Sequence, residues 1–279
     1  MSENKINSQT KLLGVIGNPI KHSKSPLIHN AGLRKKNLNY IYLAFEVTDI
    51  KKTIEGMKEL QITGFSITIP HKVSAIKFVD KVDELAEKIG AINTICNKNG
   101  KLIGYNTDCF GAINALKEKT SLKNKIVYVM GNGGAARAIV AGLSNEKSKV
   151  TVFCRDPNKA KDFENLFKCK IKNLTKINSN CDILINTTPI GMYPNVNKIP
   201  IDEKILNKKM IVFDIVYNPL ETLLIKEAKK AGCKVILGSE MFLEQAYVQF
   251  KLFTGEDAPK EVMRKTLVKE LKKEQKRLK

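Results

Sequence analysis

From Lys11 onward, short apolar runs alternate with amphipathic stretches, and turn residues separate them. KLLGVIG (Lys11–Gly17), YIYLAFEV (residues 40–47) and GFSITI (residues 64–69) are rich in β-branched and aromatic residues and read as strands. Asn18-Pro19 breaks the first and Pro70 stops the third. Ser25 before Pro26 reads as a helix N-cap with proline at the first helical position, and Thr48 or Asp49 caps the helix after the second strand. INTICNKNGKLIGYN predicts a hairpin turning at Asn99-Gly100, because both central residues of a tight turn of this kind take positive φ.

A helix is expected from Asp108 through CFGAINALKEK. KNKIVYVMGNGGAARAIVAGL then reads as strand, glycine turn and helix, and VTVFCRD, CDILINTTP, MIVFDIVYNP and KVILG as later strands. The last forty residues, from Glu240, read as helical, with a lysine-rich solvated end. Strands alternating with helices predict an α/β protein with mostly parallel sheets. A chain of 279 residues is longer than one core usually serves, so two α/β units in series are expected.

Composition narrows the partners. Forty-eight basic against twenty-eight acidic side chains give a net charge of +20. The positives are mostly lysines spread along the chain and interleaved with glutamates, as in KKTIEGMKEL, with no Trp and no basic stripe carrying aromatics. That pattern suits a solvated surface that attracts small anionic ligands better than a nucleic-acid groove. No run of eighteen apolar residues predicts a membrane span, and the polar MSENKINSQTK lacks an apolar signal core, so a cytoplasmic protein is expected. The six cysteines form no C-x-x-C pair and the three histidines do not cluster with them, which argues against a zinc site and for reduced thiols.

Gly131-Asn132-Gly133-Gly134-Ala135-Ala136 stands between strand and helix with G-x-G-x-x-A spacing. Glycines there let the backbone approach a pyrophosphate, and the helix start offers free N–H groups and a positive dipole end. The next strand ends at Cys154-Arg155-Asp156, where the ribose is read. Arg155 suits a 2′-phosphate or an adenine face and Lys159 adds positive charge, whereas Asp156 suits a free ribose hydroxyl. NADP is favoured, with NAD kept open by Asp156.

Four further segments carry polar residues at strand ends or sharp turns: residues 17–26 (GNPIKHSKSP), 64–72 (GFSITIPHK), 90–94 (GAINT) and 104–108 (GYNTD). In an open α/β sheet such ends line the ligand crevice. Together with the glycine loop, Asn186-Thr187-Thr188-Pro189, Gly191-Met192, Asp214-x-x-Tyr217-x-Pro219 and Gln245, they appear in the order seen in the shikimate dehydrogenase family, which the chain closely resembles over residues 11–270.

The resemblance implies reversible reduction of 3-dehydroshikimate to shikimate, a step of aromatic amino acid biosynthesis, with NADP. It implies Lys72 and Asp108 as the acid/base pair, and Ser23, Ser25, Ser66, Thr68, Asn93, Tyr217 and Gln245 as substrate ligands. Around the cofactor it adds Thr187, Thr188, Ile215 and Gly238 to Gly131, Asn132, Gly133, Gly134, Ala135, Arg155, Asp156 and Lys159. No metal is implied, and the chain is expected as a monomer or homodimer.

The implied fold is two α/β domains with an interdomain cleft: a substrate domain of residues 1–107 and 239–279, and a Rossmann-type domain of residues 108–238. Ser66 departs from the asparagine common there, and its shorter side chain suggests contact through water. Cys109, beside Asp108, is either a reactive thiol facing the cleft or a small buried residue. Two rivals stand beside this reading: an NAD-using quinate/shikimate dehydrogenase, and a non-catalytic nucleotide- or polyanion-binding protein that kept the fold.

Overall fold

The structure, a computed structural model, describes residues 6–277. The chain forms two compact units, one from its N-terminal part through Thr107 with Gln245–Glu270, the other from Asp108–Glu244 with the segment from Leu271 onward.

The first unit opens with β1 (Lys11–Gly17), α1 (Ser25–Lys35), β2 (Tyr40–Glu46), α2 (Ile50–Glu59) and β3 (Gly64–Ile67). It continues with β4 (Lys81–Val82), α3 (Glu84–Ile89), β5 (Thr94–Lys98) and β6 (Lys101–Tyr105). Its sheet runs β2-β1-β3-β5-β6-β4, with β1 parallel to both neighbours and β5 antiparallel to β3 and β6. The hairpin turns as its sequence demands: Asn99 and Gly100 have φ of 54° and 84°, and Lys98 pairs with Lys101. Ile16, Phe65, Ile67, Ile92 and Ile95 form the core between the sheet and α2 residues Ile54 and Met57. Each such side chain contributes about 1.5–3 kcal/mol on burial.

Asp49 caps α2, its carboxylate accepting the Lys52 N–H at 3.1 Å. The expected cap at Ser25 is corrected. Lys24 occupies the cap position with helical backbone angles, so Ser25 is already the first helical residue. The Ser25 N–H instead donates to Ser23 Oγ at 3.3 Å, and the Ser25 hydroxyl is not spent on the cap. The third strand also stops two residues short of Ile69, because the chain turns there, His71 N–H bonding back to the Thr68 carbonyl at 3.0 Å.

The second unit comprises α4 (Asp108–Lys117), β7 (Ile126–Met130), α5 (Gly134–Asn145), β8 (Lys149–Cys154), α6 (Lys161–Phe167), β9 (Lys170–Asn173), β10 (Ile183–Asn186), β11 (Ile211–Asp214), α7 (Leu223–Lys230) and β12 (Lys234–Ile236). Its sheet, β12-β11-β10-β7-β8-β9, is parallel throughout. This is the doubly wound Rossmann order, with its switch point between β7 and β10. The strands are buried on both faces, as parallel strands covered by helices must be.

Helix α8 (Gly238–Thr254) starts in the second unit and ends in the first. The lysine-rich end forms α9 (Lys260–Arg277), which buries Met263, Leu267 and Leu271 at four-residue spacing along one face. Leu278 and Lys279 lie outside the described residues.

Candidate active site

In the first unit, Lys72 sits in a turn anchored on both sides. The buried His71 ring donates through Nε2 to the Val47 carbonyl at 2.8 Å, and the Lys72 carbonyl accepts the Ile92 N–H at 2.8 Å. Lys72 itself is half-buried, as are Ser23 and Thr68, while Ser25, Ser66, Asn93 and Gln245 are buried. Gly17 packs against Thr68 so closely that a Cβ would lie 2.4 Å from the threonine methyl, which brings the 17–26 segment against the end of β3.

Asn93, just before β5, is held through both its backbone and its side chain. Its N–H reaches the Tyr105 carbonyl at 2.9 Å and its carbonyl accepts the Ile67 N–H at 2.7 Å. Its Oδ1 accepts the Thr107 N–H at 2.7 Å, and its Nδ2 donates to Thr107 Oγ1 at 2.9 Å. One amide hydrogen remains without a protein acceptor among the described residues, aimed from a side chain only 2% exposed. Thr107 Oγ1 also lies 3.4 Å from Gln245 Oε1, so Asn93, Thr107 and Gln245 form one polar group.

Asp108 opens α4 in the second unit and is 5% exposed. Cys109 follows it, buried against α5, its sulfur 3.0 Å from where a Cβ on Gly142 would stand. Burial pushes its thiol up to about 11, an inert thiol rather than a nucleophile.

The second unit offers a cofactor cradle. Gly131 closes β7 with φ of 109°, and a Cβ there would meet Thr187 Oγ1 at 2.5 Å, so only glycine fits. The Thr187 hydroxyl braces this turn by donating to the Met130 carbonyl at 2.6 Å. Gly133 caps α5 with no side-chain hydrogen bond, which leaves the first-turn N–H groups of Gly134 and Ala135 for an anion. Asn132 Nδ2 donates to the Lys159 carbonyl at 3.5 Å, tying the glycine turn to the segment after β8.

Arg155 is exposed there, while Asp156 caps the following turn, its carboxylate accepting the Asn158 N–H at 3.1 Å. Gly238 fits beneath the Ile215 and Val216 carbonyls, where a Cβ would stand 2.5 Å from each oxygen. Thr188 donates to Asn186 Oδ1 at 2.7 Å, and Tyr217 stacks on Phe242 with ring centroids 4.3 Å apart. Free N–H groups at a helix start, open space at Gly133 and an exposed guanidinium after β8 suit a dinucleotide phosphate.

Comparison with known proteins agrees with this arrangement. Residues 15–95 match the shikimate dehydrogenase substrate binding domain, residues 114–219 the shikimate/quinate 5-dehydrogenase family, and residues 238–268 the shikimate 5′-dehydrogenase C-terminal domain. An NADP(+) shikimate dehydrogenase of Methanococcus maripaludis is 43% identical over 274 residues, covering 94% of this chain and 98% of the relative. The chain belongs to the shikimate dehydrogenase family. A second relative of that name, from Methanocaldococcus jannaschii, is 44% identical over 96% of this chain and its own full length. A crystal structure of a shikimate dehydrogenase in complex with NADP+ superposes with a TM-score of 0.91 at 41% identity, covering 96% of this chain and 98% of that one.

No helix among the described residues is long and apolar enough to cross a membrane, and no group of three or more His, Cys, Asp or Glu residues there is arranged to hold a metal. Two polar residues that escaped the sequence reading, Tyr42 and Gln249, are buried beside Ser66 and bonded to it. Both lie inside apolar runs, YIYLAFE and AYVQFKLF, where periodicity signals core and gives no hint of chemistry.

Proposed function

We propose that this protein is an NADP-dependent shikimate dehydrogenase that reversibly reduces 3-dehydroshikimate to shikimate. What carries the reading is the match along nearly the whole chain to enzymes of that name, in a sequence that keeps Lys72, Asn93, Asp108 and Gln245. The cofactor supplies the hydride when bound. The chain's own residues supply the proton and the orientation. Lys72 as ammonium donates to the ring oxygen as negative charge develops there, which a neutral donor would stabilise less. Asp108 favours the charged lysine and accepts from a substrate hydroxyl. The two act as one coupled unit.

Ser23 and Ser25 hold the substrate carboxylate through their hydroxyls. The free Ser25 hydroxyl, released from capping duty, supports that role. Asn93, with one amide hydrogen to give, donates to a ring hydroxyl, alongside Thr68, Ser66, Tyr217 and Gln245. On the cofactor side, the α5 N-terminus and the Gly131–Ala135 backbone receive the pyrophosphate, flanked by Thr187, Thr188, Ile215 and Gly238. Arg155 and Lys159 meet the 2′-phosphate.

Asp156 is the residue that keeps NAD open. With one carboxylate oxygen committed to the Asn158 N–H, it serves the turn, which favours Arg155 as the reader of the ribose. Steady-state assays at 340 nm pairing shikimate and quinate with NADP and NAD test the proposal. Highest kcat/KM for shikimate with NADP is expected. Preference for quinate with NAD selects the rival enzyme, and no turnover with any pair selects a non-catalytic protein. Cysteines held as thiols suit a reducing cytoplasm.

A further inference from the structure

A buried hydrogen-bond chain runs through the first unit, and backbone groups that can only donate or only accept set its direction. Gln249 Nε2 lies 3.2 Å from the Asn93 carbonyl, which can only accept, so this end of the carboxamide is the donor. The same nitrogen donates to Thr94 Oγ1 at 2.9 Å. Gln249 Oε1 must then face Ser66, whose hydroxyl donates to it at 2.8 Å. Ser66, its hydrogen spent, can only accept from Tyr42, whose phenol donates at 2.7 Å. On the other branch Thr94, already accepting from Gln249, passes its hydrogen to Asn93 Oδ1 at 2.9 Å. The Thr107 N–H, which can only donate, already marks this end of the Asn93 carboxamide as oxygen at 2.7 Å, and the Thr94 hydrogen adds a second bond that holds it there; the nitrogen bonds Thr107 Oγ1 at 2.9 Å and presents one further hydrogen.

Tyr42, Thr94 and Gln249 are at most 2% exposed, so water does not compete for these bonds.

We infer that Gln249 is a positioning residue for the substrate: acting through Thr94 it helps hold Asn93 as an N–H donor, and acting through Ser66 it makes that hydroxyl an acceptor toward the bound ring. The inference rests on the proposed roles of Asn93 and Ser66 as shikimate ligands, and it names the ligand chemistry they select. One ring hydroxyl must accept at Asn93, and the hydroxyl nearest Ser66 must donate. Tyr42 secures the second condition by occupying the Ser66 oxygen from behind. This also accounts for serine where the family commonly has asparagine, since a hydroxyl completes the relay between Tyr42 and Gln249.

Kinetics of the full-length protein test this. Gln249→Met keeps the side-chain length and removes every donor and acceptor. It should raise KM for shikimate about tenfold, the scale of one buried hydrogen bond, while KM for NADP stays within about twofold. Because Gln249 acts partly through Asn93, Q249M should worsen the shikimate KM less in an Asn93→Ala background than in wild type, the remainder coming through Ser66. An unchanged shikimate KM in Q249M, or fully additive effects of Q249M and N93A, overturns the inference. If Q249M does not fold, Tyr42→Phe carries the test, removing one oxygen from the relay. A rise of about threefold in shikimate KM supports the relay, and no rise overturns it. Wild-type protein inert toward shikimate with both cofactors would instead overturn the proposed function, and this inference with it. That result is distinct from an active wild type whose variants bind shikimate normally.

Discussion

Thr222 Oγ1 donates to Asp214 Oδ2 over 2.6 Å, and both residues are fully buried in the second unit. The other carboxylate oxygen accepts the Val216 N–H at 3.1 Å and Asn186 Nδ2 at 3.0 Å, while Thr222 caps α7 by accepting the Ile225 N–H at 3.3 Å. One carboxyl group thus ties together the ends of β10 and β11, from which Thr187, Thr188 and Ile215 project.

Burial pushes Asp214 up to about 6 against these three bonds. Between about pH 4 and 6 the folded protein keeps a proton that the unfolded chain releases, so stability falls as pH rises through that window. The shift from 3.8 to about 6 corresponds to about 3 kcal/mol. Urea unfolding should show wild type losing most of that relative to Asp214→Asn between pH 4 and 7. A constant difference across this range would mean that Asp214 is already ionised at pH 4.

His29 acts with the opposite sign. It is 1% exposed, stacks on Tyr42 at 4.4 Å between ring centroids, and neither ring nitrogen has a hydrogen-bond partner among the described residues. Burial drives its pKa down to about 3, opposed by the nearby Gln249 amide, which is already committed to Ser66, Asn93 and Thr94. The ring therefore stays neutral in the fold, and stability is lost as pH falls below 6.5, where the unfolded chain takes up a proton. At pH 5 the loss is about 2 kcal/mol. His29→Phe keeps an aromatic ring against Tyr42 and should remove this acid-sensitive part of the unfolding curve. Equal acid sensitivity in H29F would locate the effect elsewhere.

Features whose chemistry is local were legible in the sequence. Asn99-Gly100 turns the hairpin because its residues tolerate positive φ, and Gly131 marks the cofactor turn because the backbone there excludes a Cβ. Features that depend on what lies opposite in space were not. Gln249 and Asp214 sit in apolar runs and acquire their roles from partners 183 and 28 residues away. Ser25 lost its expected cap because the backbone at Lys24 is already helical, which no residue preference announces. Strand β9, KIKN, is short and half lysine and is not among the strands expected from sequence, and only pairing with β8 makes it one. Which of forty-eight basic residues matters was legible only through resemblance, since Lys72 differs from the others by its turn and not by its type.

The two cofactor-loop glycines should fail in different ways. Gly131→Ala places a methyl 2.5 Å from Thr187 Oγ1 at a φ of 109°, so it should lower Tm and raise KM for NADP at least tenfold. Gly133 has a φ of −82° and nothing within 4 Å of a Cβ, so Gly133→Ala should keep the wild-type Tm. A higher NADP KM in G133A would then report the close approach of the ligand itself. Normal NADP binding by both variants would place the cofactor elsewhere.

Lys72 carries the sharpest test of the proton chemistry. Lys72→Ala should lower kcat on the order of 10²–10⁴-fold while raising shikimate KM modestly, since donation to the developing alkoxide is worth most in the transition state. Lys72→Arg separates charge from proton transfer: guanidinium keeps the positive charge but does not release a proton at accessible pH. If Lys72 only stabilises charge, K72R should recover most of the lost kcat. If it hands over the proton, K72R should remain within about tenfold of K72A. Asp108→Asn should lower kcat and raise shikimate KM together, as the two duties proposed for its carboxylate require. Near wild-type kcat in K72A would remove Lys72 from the mechanism, and unchanged shikimate KM in D108N would remove Asp108 from the substrate.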